Sequence, residues 1–261
     1  MLIGSPRLTD RDREHWQRLE HYDDALSQDP HLDWLEQQGI QAVRAFAAAG
    51  DFYVSVSWGK DSVAACHVAL KAVPGARVVW VRSRHFEMPE CEQVRDAFLT
   101  RHTARYEEIE VELRNPKRGE PGYDDRHLDP SADHQDVLRE TLTGRYVSGV
   151  RAEESRVRRI SIGHRGLTTR NTCRPVGHWQ ATHVFAYLHR EGLPVHPAYA
   201  MTAGGYYDRR WIRVHPLCSA PPAQSAVYGG DSAAWEDAYY PDVITAARRA
   251  RAHMWTPSTS Q

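Results

Sequence analysis

The first thirty residues are largely polar, the next twenty keep apolar residues at helical step, and beyond them apolar residues fall into short continuous runs. Residues 8 to 22 are polar with Trp16 and Leu19 on one side and Thr9 placed to cap. From about Leu32 to Ala49 the positions Leu35, Ile40, Val43 and Ala47 keep helical step. Asp29-Pro30 parts these two predicted helices, and Gly50-Asp51 ends the second. Phe52 to Ser57 reads as a strand. Val63 to Val73 is apolar on nearly every side, which predicts a buried helix stopped at Pro74-Gly75. Arg77 to Ser83 holds Val78, Val79, Trp80 and Val81 in a row, as in a parallel strand covered on both faces. Residues 90 to 102 return to helix, Tyr106 to Leu113 to strand, His134 to Thr143 to helix, and Tyr146 to Val150 to a fourth strand. Between them, 114 to 132 is rich in Pro, Gly and Asp and is the longest irregular stretch. Such alternation predicts an α/β fold with a doubly wound, mostly parallel sheet. Helices 1–50 should pack on an α/β domain spanning 51–200. Residues 201–261 should form a smaller C-terminal lobe of the same domain, packed by Trp235, Tyr239, Tyr240 and Trp255.

Composition narrows the partners. The 261 residues carry 33 Lys plus Arg against 34 Asp plus Glu, a formal charge of −1, so overall charge gives no argument for nucleic acid or an anionic membrane. No apolar stretch is long enough to span a bilayer, and the polar N-terminus has no signal-peptide core, so cytoplasm is the default expectation. The four cysteines, Cys66, Cys91, Cys173 and Cys218, include no Cys-x-x-Cys pair, which disfavours both a disulfide framework and an iron–sulfur cluster. The fifteen histidines show no zinc-ligand spacing.

Two segments carry candidate chemistry. The first is Ser57-Trp58-Gly59-Lys60-Asp61-Ser62, set between the strand and the buried helix. Backbone N–H groups at such a helix start point at an anion, and the helix dipole favours negative charge there. Gly59 admits phosphate close to the backbone, and Ser55, Ser57 and Ser62 stand as polar groups around it. Lys60 supplies a point charge for a leaving pyrophosphate, and Asp61 either caps the helix or holds Mg2+. Trp58 is expected in an ordinary backbone conformation with its ring over or beside the site. The second segment follows the fourth strand: Gly149-Val150-Arg151-Ala152-Glu153-Glu154-Ser155-Arg156, then Arg158 and Arg159. Residues 151 to 174 hold seven arginines and two acids. Gly149 should allow close ligand approach, Arg151 with Arg156 or Arg158 should clamp phosphate oxygens, and Glu154 should orient one of the arginines. Both segments fall at strand carboxyl ends, where open α/β sheets bind ligands.

The hexapeptide resembles the Ser-Gly-Gly-Lys-Asp-Ser pyrophosphate loop of the adenine-nucleotide α-hydrolase superfamily, with Trp58 where that pattern has glycine. Gly-Val-Arg-x-x-Glu-Ser-x-x-x-Arg is similar to the second signature of the phosphoadenosine phosphosulfate reductase family, which includes the small subunit of sulfate adenylyltransferase. Arg174-Pro175-Val176, Trp179, the helix to Leu188, and Gly192-Leu193-Pro194-Val195 with Pro197 and Tyr199 are similar to that family's third stretch. Phe86 to Cys91 resembles its Phe-Pro-Glu-Thr-like turn, with Arg82 or Ser83 where the family has an acid. The resemblance covers about residues 35 to 200. It implies an enzyme of sulfur metabolism that binds ATP with Mg2+ and acts at the α-phosphorus. The acceptor would be sulfate or a group to be thiolated, and Lys60, Arg151, Arg156 and Arg158 would stabilise charge. Three alternatives stay open: a reductase of an adenylylated sulfate using Cys173 at the site's mouth or Cys218, a DNA phosphorothioation component, and a nucleotide-binding subunit that needs a protein partner or forms a homo-oligomer. Tyr206, Tyr207, Arg209, Arg210 and Trp211 interleave basic and aromatic groups in a way a nucleic acid or a partner protein could use.

Overall fold

The structure, a computed structural model, describes residues 1–83, 87–111, 142, 144–214 and 232–254. Helix α1 (Asp10–Ser27) opens with a Thr9 capping box, and Thr9 Oγ1 accepts the Asp12 N–H at 3.2 Å. It runs beyond the expected end to the Asp29 cap of α2 (Pro30–Ala48), where Pro30 stands in the first turn. Strand β1 (Tyr53–Val56) leads into α3 (Lys60–Ala72). Then come β2 (Arg77–Ser83), α4 (Glu90–Leu99) and β3 (Arg105–Val111). Strand β4 is Tyr146–Val147 only, because Ser148 onward leaves the sheet toward the site. Helix α5 (Arg156–Arg165), strand β5 (Thr172–Cys173) and helix α6 (Ala181–Arg190) follow. The expected irregular stretch 114–132 and almost all of the helix expected over 134–143 lie outside the described residues.

The five strands order as β3-β2-β1-β4-β5. β1 pairs in parallel with β2 and with β4, and β4 in parallel with β5. Chain order runs outward from β1 to β3 on one side and from β4 to β5 on the other. The topological switch therefore lies between β1 and β4, the crevice where such sheets bind ligands. The fold is the α/β, doubly wound, mostly parallel sheet that the alternation predicts. Its core is aliphatic in α3 (Val63, Ala64, Ala65, Val68) and aromatic around Trp80, Phe98, Trp179 and Phe185, all buried. Helix α1 packs on α6, and α2 and α6 both pack on α3.

The described residues fall into two compact units. The first comprises Met1–Val81, Pro89–Ile109 and Thr143–Val214, and it contains the switch point. The second includes α7 (Ser232–Tyr239) and α8 (Pro241–Met254), where the Trp235 ring lies 5.7 Å from that of Tyr239 and 5.6 Å from that of Tyr240. Trp255 lies outside the described residues.

Candidate functional site

β1 releases the chain at Ser57, and α3 begins three residues later with Lys60 in its first turn. The loop between them closes on itself. Ser57 N–H donates to Ser62 Oγ at 3.2 Å, and Ser62 Oγ donates to the Gly59 carbonyl at 3.0 Å. Of the three serines expected around a ligand, Ser62 thus braces the loop, while Ser57 is exposed and Ser55 half-buried on β1. Gly59 has φ −80°, so its use is space rather than a glycine-only conformation. A Cβ there would stand 2.9 Å from the Tyr199 hydroxyl. That hydroxyl accepts the Lys60 N–H at 3.0 Å, satisfying one of the donors a helix start leaves open.

Trp58 corrects the sequence expectation. Its φ is 59°, the left-handed region in which a glycine would be free of strain. Its ring is not over the site but in the core, 0 % exposed, at 6.4 Å from Trp80, 5.8 Å from Phe98 and 5.8 Å from Tyr106. The turn that glycine makes easily in the superfamily pattern is made here by a residue held from below by three rings.

The second segment meets the loop in backbone contact. A Cβ on Gly149 would lie 2.5 Å from the Asp61 carbonyl carbon and 2.7 Å from the Ser62 nitrogen. Gly149 is therefore required for the close approach of the β4 exit to α3, a tighter constraint than room for a ligand. Two residues on, Arg151 is 2 % exposed. Its Nε lies 2.6 Å from Asp61 Oδ1, and its Nη1 donates to Glu153 Oε2 at 2.5 Å and to the Trp179 carbonyl at 3.3 Å. The other Asp61 oxygen takes Lys60 Nζ at 3.0 Å. Lys60 is 3 % exposed, with its ammonium 4.9 Å from the centre of the Tyr199 ring.

Electrostatics follow from this crowding. Burial pushes the Lys60 ammonium below its usual pKa, with Asp61 opposing and Arg151 adding to the depression. Burial works against the Asp61 carboxylate too, but Lys60 and Arg151 hold it below the ordinary range. Desolvation disfavours the Arg151 charge, and Asp61 and Glu153 more than compensate. Two cations share one carboxylate on the loop side. Asp61 makes no side-chain cap to α3, and both its oxygens are engaged by cations, so it does not fit the expected Mg2+ ligand role. Among the described residues no group of three or more His, Cys, Asp and Glu could hold a metal.

Arg151 is likewise a brace inside the protein rather than an open clamp. Glu154 accepts the Arg151 N–H at 2.9 Å and ion-pairs with Arg158, while Arg156 is exposed. Glu153, which sequence reasoning gave no role, also accepts the Ala181 N–H at 2.7 Å and so ties this segment to the start of α6. Tyr199 was legible as part of a Pro-x-Tyr turn but not as the partner of Lys60. Cys173 differs from the expected loop position. It lies in β5, fully buried, and burial pushes its thiol up to about 12. Cys66 and Cys91 are buried and not disulfide-bonded, and Cys218 lies outside the described residues.

A parallel sheet with a pyrophosphate-type loop and a Gly-x-Arg segment at its switch point defines the PP-loop class of adenine-nucleotide α-hydrolase folds. Within that class, the family model for the phosphoadenosine phosphosulfate reductase domain matches residues 51–208, and the chain belongs to this enzyme family. Two solved structures are similar to it. Phosphoadenylyl-sulfate (PAPS) reductase from Candida auris, in a phosphate complex, aligns with a TM-score of 0.42 and 11 % identity over 65 % of this chain and 89 % of that one. The U34-tRNA thiolase NcsA from Methanococcus maripaludis, with its [4Fe-4S] cluster, aligns with a TM-score of 0.41 and 10 % identity over 85 % of this chain and 80 % of that one. No curated protein sequence matches the chain. No helix among the described residues is long and apolar enough to cross a membrane.

Proposed function

We propose that the chain binds ATP across the β1–β4 crevice and adenylylates an acceptor of sulfur metabolism, either sulfate or a group to be thiolated. The supporting observation is the close approach of the Gly149 backbone to Asp61 and Ser62, which brings the loop and the Gly-x-Arg segment together. Lys60 has a buried ammonium that shares the Asp61 carboxylate with Arg151, so an arriving phosphate oxygen would give it a second anionic partner. Arg151 positions Asp61, and through it Lys60. The exposed Arg156 and the half-exposed Arg158 supply the outer cations. An acceptor oxygen attacks the α-phosphorus, the α–β phosphoanhydride bond breaks, and its electron pair leaves with pyrophosphate. Lys60 and the outer arginines stabilise the charge that develops on the leaving group. Lys60→Ala should lower pyrophosphate release on the order of 10²-fold, with the melting transition retained. Release at the wild-type rate would contradict the reading.

Family membership also supports reduction of an adenylylated sulfate as a second reading. That chemistry needs an accessible thiolate. The buried, protonated Cys173 is poorly suited to it, which leaves Cys218 as the thiol to test. Loss of sulfite production in Cys218→Ser, with nucleotide binding kept, would favour reduction over adenylylation.

A further inference from the structure

From Ser155 to Arg174 the chain carries six arginines and no acid. Arg158 is paired with Glu154. Arg156, Arg159, Arg165 and Arg170 are exposed and make no ion pair among the described residues. Arg174, at the exit of β5, has one buried guanidinium nitrogen without a hydrogen-bond partner. Helix α5 has no acid in its first turn, where the macrodipole would favour one, and opens instead with Arg156, Arg158 and Arg159. Arg156 and Arg159 are like charges at i, i+3 spacing, each unfavourable to the other. Ile162 is the buried point of the helix, and Arg159 and Arg165, three residues either side of it, flank that contact.

The same helix exposes Val157 (77 %) and Ile160 (61 %). Two aliphatic side chains fall well short of the roughly 800 Å² per partner that a stable protein interface buries, so apolar contact cannot be what this face mainly offers. Unpaired guanidinium groups are what it offers in quantity, and their planar forks suit phosphate. Exposed aromatic rings, Tyr206 and Trp211, stand on the turn after residue 200, where Arg210 pairs with Asp208 at 2.6 Å. The Arg210 guanidinium also feels the charge of Glu153, which precedes α5 by three residues. Arginines that track a backbone, with exposed rings near them, match the recognition chemistry of single strands.

We propose that the arginine face of α5 and of the turn into β5, with Arg159, Arg165 and Arg170 as its principal contacts, binds the phosphate backbone of a single-stranded nucleic acid. This surface needs no chemistry at Lys60, so it stands or falls separately from the nucleotide reading. The probe is a fluorescein-labelled oligo(dT) of about 20 nucleotides, followed by anisotropy alongside its RNA counterpart. Binding should appear with Kd on the order of 10⁻⁵ M at low salt. Three phosphate contacts predict a slope of log K against log salt of about −2, or about a twentyfold loss between roughly 50 and 200 mM salt. The triple variant Arg159→Glu, Arg165→Glu, Arg170→Glu should bind at least about tenfold more weakly and lose the salt slope, whereas the triple Lys variant should keep both. ATP binding by the Glu variant serves as the check on its fold. No anisotropy change with either oligonucleotide, or equal binding by the Glu variant, would overturn the proposal. So would displacement of the oligonucleotide as readily by poly-glutamate as by unlabelled strand, which would assign the face to an acidic protein.

Discussion

Trp58 holds a left-handed backbone that costs a residue with a Cβ about 1–2 kcal/mol, and burying its ring against Trp80, Phe98 and Tyr106 outweighs that cost. The two contributions separate by substitution. Trp58→Ala loses the ring and keeps the strain, so unfolding free energy should fall by about 3–5 kcal/mol. Trp58→Gly loses the ring but relieves the strain, so it should be the milder change by about 1 kcal/mol. Urea denaturation measures both, and a glycine variant no more stable than the alanine variant would show that the backbone is not strained. Sequence alone placed the residue in the loop and missed its direction. A left-handed φ cannot be read from a tryptophan, because the residue type argues against it and only the three-ring pocket permits it.

At the scale of elements, α2, α3 and α6 are pinned together by buried polar groups. Tyr187 Oη donates to Glu36 Oε1 at 2.9 Å, and its oxygen stands 2.9 Å from His67 Nδ1. Burial, with Lys71 and His102 adding to it, lowers the His67 pKa to about 4. Burial alone lowers that of His196 to about 3. Both imidazoles fold neutral, so below an unfolded pKa of about 6.5 the unfolded chain binds protons that the folded chain refuses. Stability should therefore be full above pH 6.5 and fall as pH drops toward 4, by about 1.4 kcal/mol per unit for each histidine. Denaturation midpoints that stay flat from about pH 7 to 5 would contradict the burial of these rings. The helix periods were legible here because they are local. Leu35, Ile40 and Val43 repeat within one element, whereas the polar clamp joins Glu36 to Tyr187 across 151 residues and leaves no local trace.

For the whole molecule, the sheet order could be anticipated from alternating strands and helices, and so could the meeting of Lys60 with Arg151, since both segments leave strand ends at one edge. What chain order did not reveal is which groups those residues would spend their charge on. Asp61, Glu153 and Glu154 engage Lys60, Arg151 and Arg158 internally, so a run that reads as an open anion wall is partly self-neutralised. Among the described residues of this run, Arg156, Arg159, Arg165 and Arg170 are exposed and make no ion pair. Strand β5 was missed because two residues give no period to detect. An adenine nucleotide should bind at the junction of α3 with the β4 exit. Calorimetric titration of ATP into the intact chain and into Lys60→Ala tests this most directly. Saturable heat in the first and at least about tenfold weaker binding in the second is the predicted result. Absence of heat in the wild type, or the same Kd in both proteins, would contradict it.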